Sequence, residues 1–159
     1  MKYAEFITKE VLVPSGVDGM SIGESKPKRN EVEYFDMKGK VIGYPMNVSR
    51  MDSHGGWVGT PTDLVKFGVH VDGLNTPKDI LNKKSIKQMT DFGGVEKSYA
   101  CGWSINKYGN YWHGGSLPGL TSILVRTKSG FCWSACVNTR SNDIFLALDQ
   151  LMWKLSRHV

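Results

Sequence analysis

Between Ser98 and Asn138 four short apolar segments follow one another, separated by glycine-bearing turns, and this run constrains the fold more than any other feature. Tyr99-Ala100-Cys101-Gly102-Trp103-Ser104-Ile105 reads as a strand and Tyr108-Gly109-Asn110 as a turn. A second strand starts at Asn110-Tyr111-Trp112 and carries His113-Gly114-Gly115-Ser116-Leu117-Pro118-Gly119. Residues 121–127 form a third, Lys128-Ser129-Gly130 a hairpin turn, and Phe131 to Asn138 a fourth. Four successive strands with such short links predict an antiparallel sheet.

The second strand is unusual. Three glycines, a proline and a histidine within seven residues are costly for a plain β connection. Glycine permits positive φ and close backbone approach, so a strand edge reading His-Gly-Gly is shaped to let something lie along its main chain. A glycine-rich hairpin with a chance histidine is the bland alternative.

The C-terminal segment supplies a cover. Ile144, Phe145, Leu148, Leu151, Met152 and Leu155 make a helical apolar strip. Ser141 or Asn142 is its expected cap, Asp143 favours the positive helix start, and Arg157 and His158 sit at its end. This helix is expected to lie across one face of the sheet.

Upstream, Tyr3, Phe6, Ile7 and Val11 recur at helical spacing, which predicts an amphipathic helix over 2–12, stopped by Pro14. Residues 18–53 read as a long irregular excursion with one hairpin around Met37-Lys38-Gly39-Lys40. Thr60, Pro61 and Asp63 form a capping box with proline at the first helical position. A helix is expected from 61 to 71 with Leu64, Val65 and Phe67 inward, and Gly55-Gly56 ahead of it implies tight backbone packing. Asn82 caps a second helix over 83–90 that buries Ile86 and Met89. The fold class is therefore α+β. Residues 1–95 form a helical and loop-rich segment, and 96–159 the sheet and its helix, within a single domain.

Charge and cysteine content narrow the function classes. At 159 residues the chain is long enough for one real core. The net charge is +5, and the densest basic cluster, Lys26-Pro27-Lys28-Arg29, has no interleaved aromatics. It reads as a solvated loop, not a nucleic-acid surface. Cys132 and Cys136 face the same side of a strand roughly 13 Å apart, too far for a disulfide. With Cys101 they read as buried free thiols, and no metal-ligand spacing occurs. No apolar run has membrane-spanning length, and the charged first residues are no signal peptide.

Four pieces taken in order resemble the C-terminal part of the serine β-lactamase and penicillin-binding-protein-like family, in its class C β-lactamase, D-amino-acid peptidase and esterase branch. They are Phe6-Ile7 through Val11-Leu12-Val13-Pro14-Ser15-Gly16-Val17, Gly55-Gly56-Trp57 through Asp63-Leu64-Val65-Lys66-Phe67, Tyr99-Ala100-Cys101-Gly102-Trp103, and His113-Gly114-Gly115 with Val137-Asn138 one strand later. The resemblance implies a partial β-lactamase/transpeptidase-like fold in which the His113 strand forms one wall of the active site. His113 would stand where the family usually has lysine, donating a hydrogen bond to substrate or to the catalytic network, with a charge that can depend on pH. Gly114 and Gly115 would let substrate approach. The Ser116 N–H would be an oxyanion donor and its carbonyl would accept from a substrate amide. Trp112 and Asn138 are further candidates for substrate contact.

In the family, a Ser-x-x-Lys nucleophile and a Tyr-x-Asn group precede the region matched. By that order this chain begins after them. Ser25-Lys26-Pro27-Lys28, Ser104-Ile105-Asn106-Lys107 and Tyr108-Gly109-Asn110 fit those patterns by spacing only: the first lies among polar residues, the second on a strand, where i and i+3 face opposite sides, and the third in a turn. The resemblance thus implies a serine-hydrolase portion acting on β-lactams, D-amino-acid peptides or small esters, needing no metal or organic cofactor and inactive alone. A non-catalytic peptide- or glycan-binding module, or a structural remnant, is the alternative. An uncovered sheet edge implies pairing with a missing N-terminal segment or with a second copy of the chain. Exported relatives suggest periplasm or cell envelope and free cysteines a cytoplasmic setting, so the compartment stays open.

Overall fold

A computed structural model describes residues 1–44, 46–74, 76–91 and 98–156. Its centre is a four-stranded antiparallel sheet of β5 (Ser104–Ile105), β6 (Tyr111–Leu117), β7 (Leu120–Arg126) and β8 (Cys132–Val137), adjacent in chain order. Earlier in the chain come α1 (Tyr3–Ile7), which runs on as a π-helical turn to Leu12, and four two-residue strands, β1 (Ser21–Ile22), β2 (Tyr34–Phe35), β3 (Val41–Ile42) and β4 (Trp57–Val58). Helices α2 (Pro61–Val69) and α3 (Lys83–Met89) follow, and α4 (Ile144–Leu155) closes the described chain. The class is α+β, with an antiparallel sheet and a C-terminal helix upon it, as the sequence predicts.

Period-two alternation divides the sheet into two apolar faces. Ile123, Val125 and Trp133 point to one side and meet Leu148, Phe145, Ile144 and Met152 of α4, with the Trp153 ring edge-on to Trp133 at 6.1 Å. Leu124 and Ile105 point to the other, where Trp103, Val71, Leu64 and Phe67 close the second core beneath α2. Gly68 lets α2 approach closely, because a Cβ there would stand 2.9 Å from the Cys132 sulfur. Thr60 starts α2 as expected: its hydroxyl accepts from the Asp63 N–H at 3.2 Å, and the Asp63 carboxylate accepts from the Thr60 N–H at 2.9 Å. Such a cap contributes about 1 kcal/mol. The Arg126 guanidinium lies in the second core, 5.1 Å over the Tyr111 ring and 3.9 Å from the Asp72 carboxylate.

The hairpin expected around Met37–Lys40 is present as β2 and β3. It is tied to the end of β8, where the Asn138 carbonyl accepts from Phe35 N–H at 3.0 Å and Phe35 bridges Thr139. Gly56 packs as tightly as predicted, since a Cβ would stand 2.6 Å from the Val48 carbonyl oxygen.

Five expectations are corrected. Tyr99–Ile105 is not one strand: Gly102 takes φ +80, the Ala100 N–H bonds the Trp103 carbonyl at 2.8 Å, and Tyr99 folds back to bridge Ser104. The first helix forms, but Tyr3 and Phe6 stay exposed and only Leu12 at its end is buried, because α1 projects from the cores. Helix α2 ends at Val69, with His70 as its C-cap, since Val71 and Asp72 leave the helix to enter the core. Helix α4 starts after Asp143 without a side-chain cap, and Leu151 and Leu155 are exposed, because the seam facing the sheet runs through residues 144, 145, 148 and 152. Cys101 is exposed at the Gly102 turn, not buried. Arg157 and His158 lie outside the described residues.

Burial pushes the Cys132 thiol up to about 11, with the Asp72 carboxylate adding to it, and burial alone raises Cys136. Thiolate is the reactive form, so at about pH 8 Cys132 is held almost wholly as the unreactive thiol. A thiol-disulfide reagent is expected to label Cys101 first, with Cys132 and Cys136 following slowly or only on unfolding. Because the folded Cys132 holds its proton to higher pH than the thiol of the unfolded chain, its stabilising share is complete below about pH 9 and lost as pH rises through about 11. Equal rates at all three cysteines, read by peptide mapping, would contradict this packing.

Candidate active site

Among the described residues, strand β6 is held on one side only along most of its length. It pairs with β7 from Tyr111↔Arg126 to Leu117↔Leu120, but with β5 only at Ser104↔Trp112 and Ile105↔Tyr111. Beyond Trp112 no strand among the described residues joins that edge, because the chain before Ser104 has already turned away at Gly102.

Which main-chain groups face the open edge follows from ladder alternation. Paired positions in an antiparallel ladder alternate between hydrogen-bonded and unbonded. The Asn106 N–H bonds the Asn110 carbonyl at 3.2 Å, so on the β5 side the bonding positions of this strand are Asn110, Trp112 and then Gly114 and Ser116. On the opposite flank the Thr127 N–H bonds the Phe131 carbonyl at 2.7 Å, which directs alternate β7 groups to β8 and leaves Arg126, Leu124, Ser122 and Leu120 for β6. Their partners are Tyr111, His113, Gly115 and Leu117. Both flanks agree: the N–H and C=O of Gly114 and Ser116 point into the open edge.

The two glycines do different work. A Cβ on Gly114 would stand 2.2 Å from the Phe145 ring, so this glycine admits α4 against the strand. A Cβ on Gly115 would stand 2.6 Å from the Ser122 hydroxyl, on the face shared with His113. Pro118 and Gly119, the latter at φ +76, make the two-residue turn, with proline before a positive-φ glycine as a type II turn requires. Gly119 is buried under the β2–β3 hairpin, where a Cβ on it would meet Tyr34 at 2.8 Å, and Pro118 is half-buried.

His113 is exposed, and its Nε2 lies 3.1 Å from the Tyr99 hydroxyl, which the Gly102 turn carries across to it. Ser116 is exposed at the far end of the same edge. His113, Gly115 and Ser116 are thus brought together on one strand. Trp112 is not with them: it faces α4 and packs on the Ile123–Val125–Trp133 core. Asn138 is also elsewhere, two strands away, where its side-chain NH₂ donates to the Glu33 carbonyl at 2.9 Å and fastens the β2–β3 hairpin.

Sequence spacing missed three contacts. Tyr99 partners His113 through a turn that the apolar pattern hid. Lys28 donates to the Ser21 hydroxyl at 2.8 Å, seven residues away, and not to Ser25 of the Ser-x-x-Lys pattern; Glu24 lies 3.7 Å from the same ammonium. Glu31 accepts from both Tyr34 and Tyr44, which wall a small cavity beside Leu117 and Pro118. Among the described residues no three His, Cys, Asp or Glu side chains converge to hold a metal ion, and no helix is long and apolar enough to cross a membrane.

Solved structures share this fold. The crystal structure of SurE superposes with a TM-score of 0.70 at 17% identity, covering 87% of this chain and 36% of that one. A penicillin-binding protein from Bacillus halodurans gives 0.69 at 19%, covering 93% and 49%. The octameric penicillin-binding protein homologue from Pyrococcus abyssi gives 0.64 at 20%, covering 89% and 34%. The chain therefore spans a third to a half of the length of these structures. No curated protein matches it. A family model described as β-lactamase matches residues 1–155, and with the fold and the His-Gly-Gly strand now in view, the chain belongs to the β-lactamase family.

Proposed function

We propose that these residues form the substrate-facing wall of a β-lactamase-related serine hydrolase acting on a β-lactam, a D-amino-acid peptide or a small ester. The observation that carries this reading is the open β6 edge, where Ser116 presents an N–H and a C=O with no strand partner among the described residues. A fixed N–H aimed at a developing oxyanion stabilises it, and the neighbouring carbonyl accepts from a substrate amide. His113, oriented by Tyr99, donates to the substrate or to the catalytic groups. The nucleophile and its lysine come from a Ser-x-x-Lys segment outside the 159 residues.

The Ser21–Lys28 contact does not supply that nucleophile. Lys28 also lies 3.7 Å from the exposed Glu24 carboxylate, so the contact sits in a polar, solvated loop and not at the start of a buried helix, where the family holds its serine and lysine. Incubation of this chain with a reactive penicillin and, separately, a fluorophosphonate is expected to leave its intact mass unchanged. A stoichiometric adduct mapped to Ser21 would overturn the assignment and place a working serine inside this chain.

Self-association belongs to the same proposal. Tyr3, Phe6, Leu146, Leu151 and Leu155 leave apolar surface on α1 and α4 uncovered, and the Pyrococcus abyssi homologue is octameric. Sedimentation at rising concentration is expected to show dimers or larger species. A clean monomer throughout would contradict it.

A further inference from the structure

The cavity beside the β6–β7 turn has a chemical character the family assignment does not specify. Tyr34, Tyr44, Trp57, Val58, Leu117 and Gly55 are among its lining residues. Its aromatic walls have their polar atoms engaged elsewhere: both tyrosine hydroxyls donate to the Glu31 carboxylate, and the Trp57 indole N–H donates to the Asp52 carbonyl at 2.7 Å. Burial raises the titration of both tyrosines, with Glu31 adding to it, so the hydroxyls stay neutral and keep donating. What faces the cavity is mostly ring surface and aliphatic carbon. Its volume, about 40 Å³, has room for about three or four heavy atoms. It adjoins Leu117 and Pro118, which directly follow Ser116 on the open edge.

We propose that this cavity is a side-chain subsite for a compact branched apolar group of about four carbons, carried by a ligand whose main chain lies along Gly114–Ser116. The inference rests on the reading of that edge as the substrate wall. Glu31 acts as a positioning residue, since it holds both tyrosine rings as walls without touching the occupant. Gly55 is the one wall without a side chain. A Cβ there makes only ordinary contacts, 3.4 Å from the Met51 methyl and 3.8 Å from Leu117, so larger side chains would extend into the space.

The test is an NMR titration of the chain, amide- and methyl-labelled, with acetyl-, isovaleryl- and phenylacetyl-D-alanine and with isovalerate alone. Isovaleryl-D-alanine is expected to bind about tenfold tighter than the acetyl compound, from partial burial of three added carbons. It should move the Val58 and Leu117 methyls together with the Gly114 and Ser116 amides, and the bulkier phenylacetyl group should gain less. Gly55→Leu should remove the isovaleryl advantage, bringing isovaleryl-D-alanine down to the affinity that the acetyl compound shows for the same variant. If all three compounds move the Gly114 and Ser116 amides with equal affinity, the edge stands and the subsite is overturned. If isovalerate alone moves the Val58 and Leu117 methyls while no compound moves the amides, the cavity takes the group but the edge reading has failed. No methyl movement with any probe overturns the subsite, and this comparison on the unaltered chain decides it even if Gly55→Leu does not fold.

Discussion

A strand in an antiparallel sheet offers its hydrogen-bonding groups alternately to left and right, and every other feature of the candidate site depends on that alternation in β6. On the left, β7 satisfies His113, Gly115 and Leu117. On the right, β5 reaches only Tyr111 and Trp112 before the chain turns at Gly102. A full-length β5 would have satisfied Gly114 and Ser116 and closed the site. Unpaired strand groups are a liability in a folded protein, and on β6 they fall at the few residues that adjoin His113 and the apolar cavity.

The edge is useful only if the strand is rigid, and two packing layers make it so. Phe145 occupies the space that a Gly114 side chain would fill and joins α4 to the strand from one side. Leu124, Trp103, Ile105 and α2 close the other side, with Arg126 and Asp72 paired at 3.9 Å beside them. The β2–β3 hairpin then holds the turn end through Gly119 and Asn138. The motif glycines therefore serve packing as much as access: Gly114 admits a helix and Gly115 leaves the His113 face bare. A binding strand supported on both faces is the arrangement that keeps donors aimed in place.

Much of this was legible in the sequence wherever a local rule decided the outcome. The Thr60-Pro61-Asp63 cap, the Asn82 cap, the Met37–Lys40 hairpin and the strand order all follow from neighbours in the chain. The apolar run Tyr99–Ile105 misled because alternation says nothing of a reversal that one positive-φ glycine permits. The α4 strip misled because a helix has more apolar residues than the sheet has room to cover, so Leu151 and Leu155 remain outside. For the site, the His113 strand was visible, whereas the facing of Trp112 and the tethering role of Asn138 depend on register with residues far away in sequence. Glu31 joins two tyrosines, one of them thirteen residues distant, a contact that no spacing rule announces.

The central claim is that Gly114 and Ser116 point their main-chain groups away from β7. Amide hydrogen exchange, read residue by residue along β6 in the free chain, tests it directly. The account predicts slow exchange at His113, Gly115 and Leu117 and fast exchange at Gly114 and Ser116. Uniform protection along the strand, or the reverse alternation, would mean that the edge is closed or turned the other way, and the proposed substrate wall would fall with it.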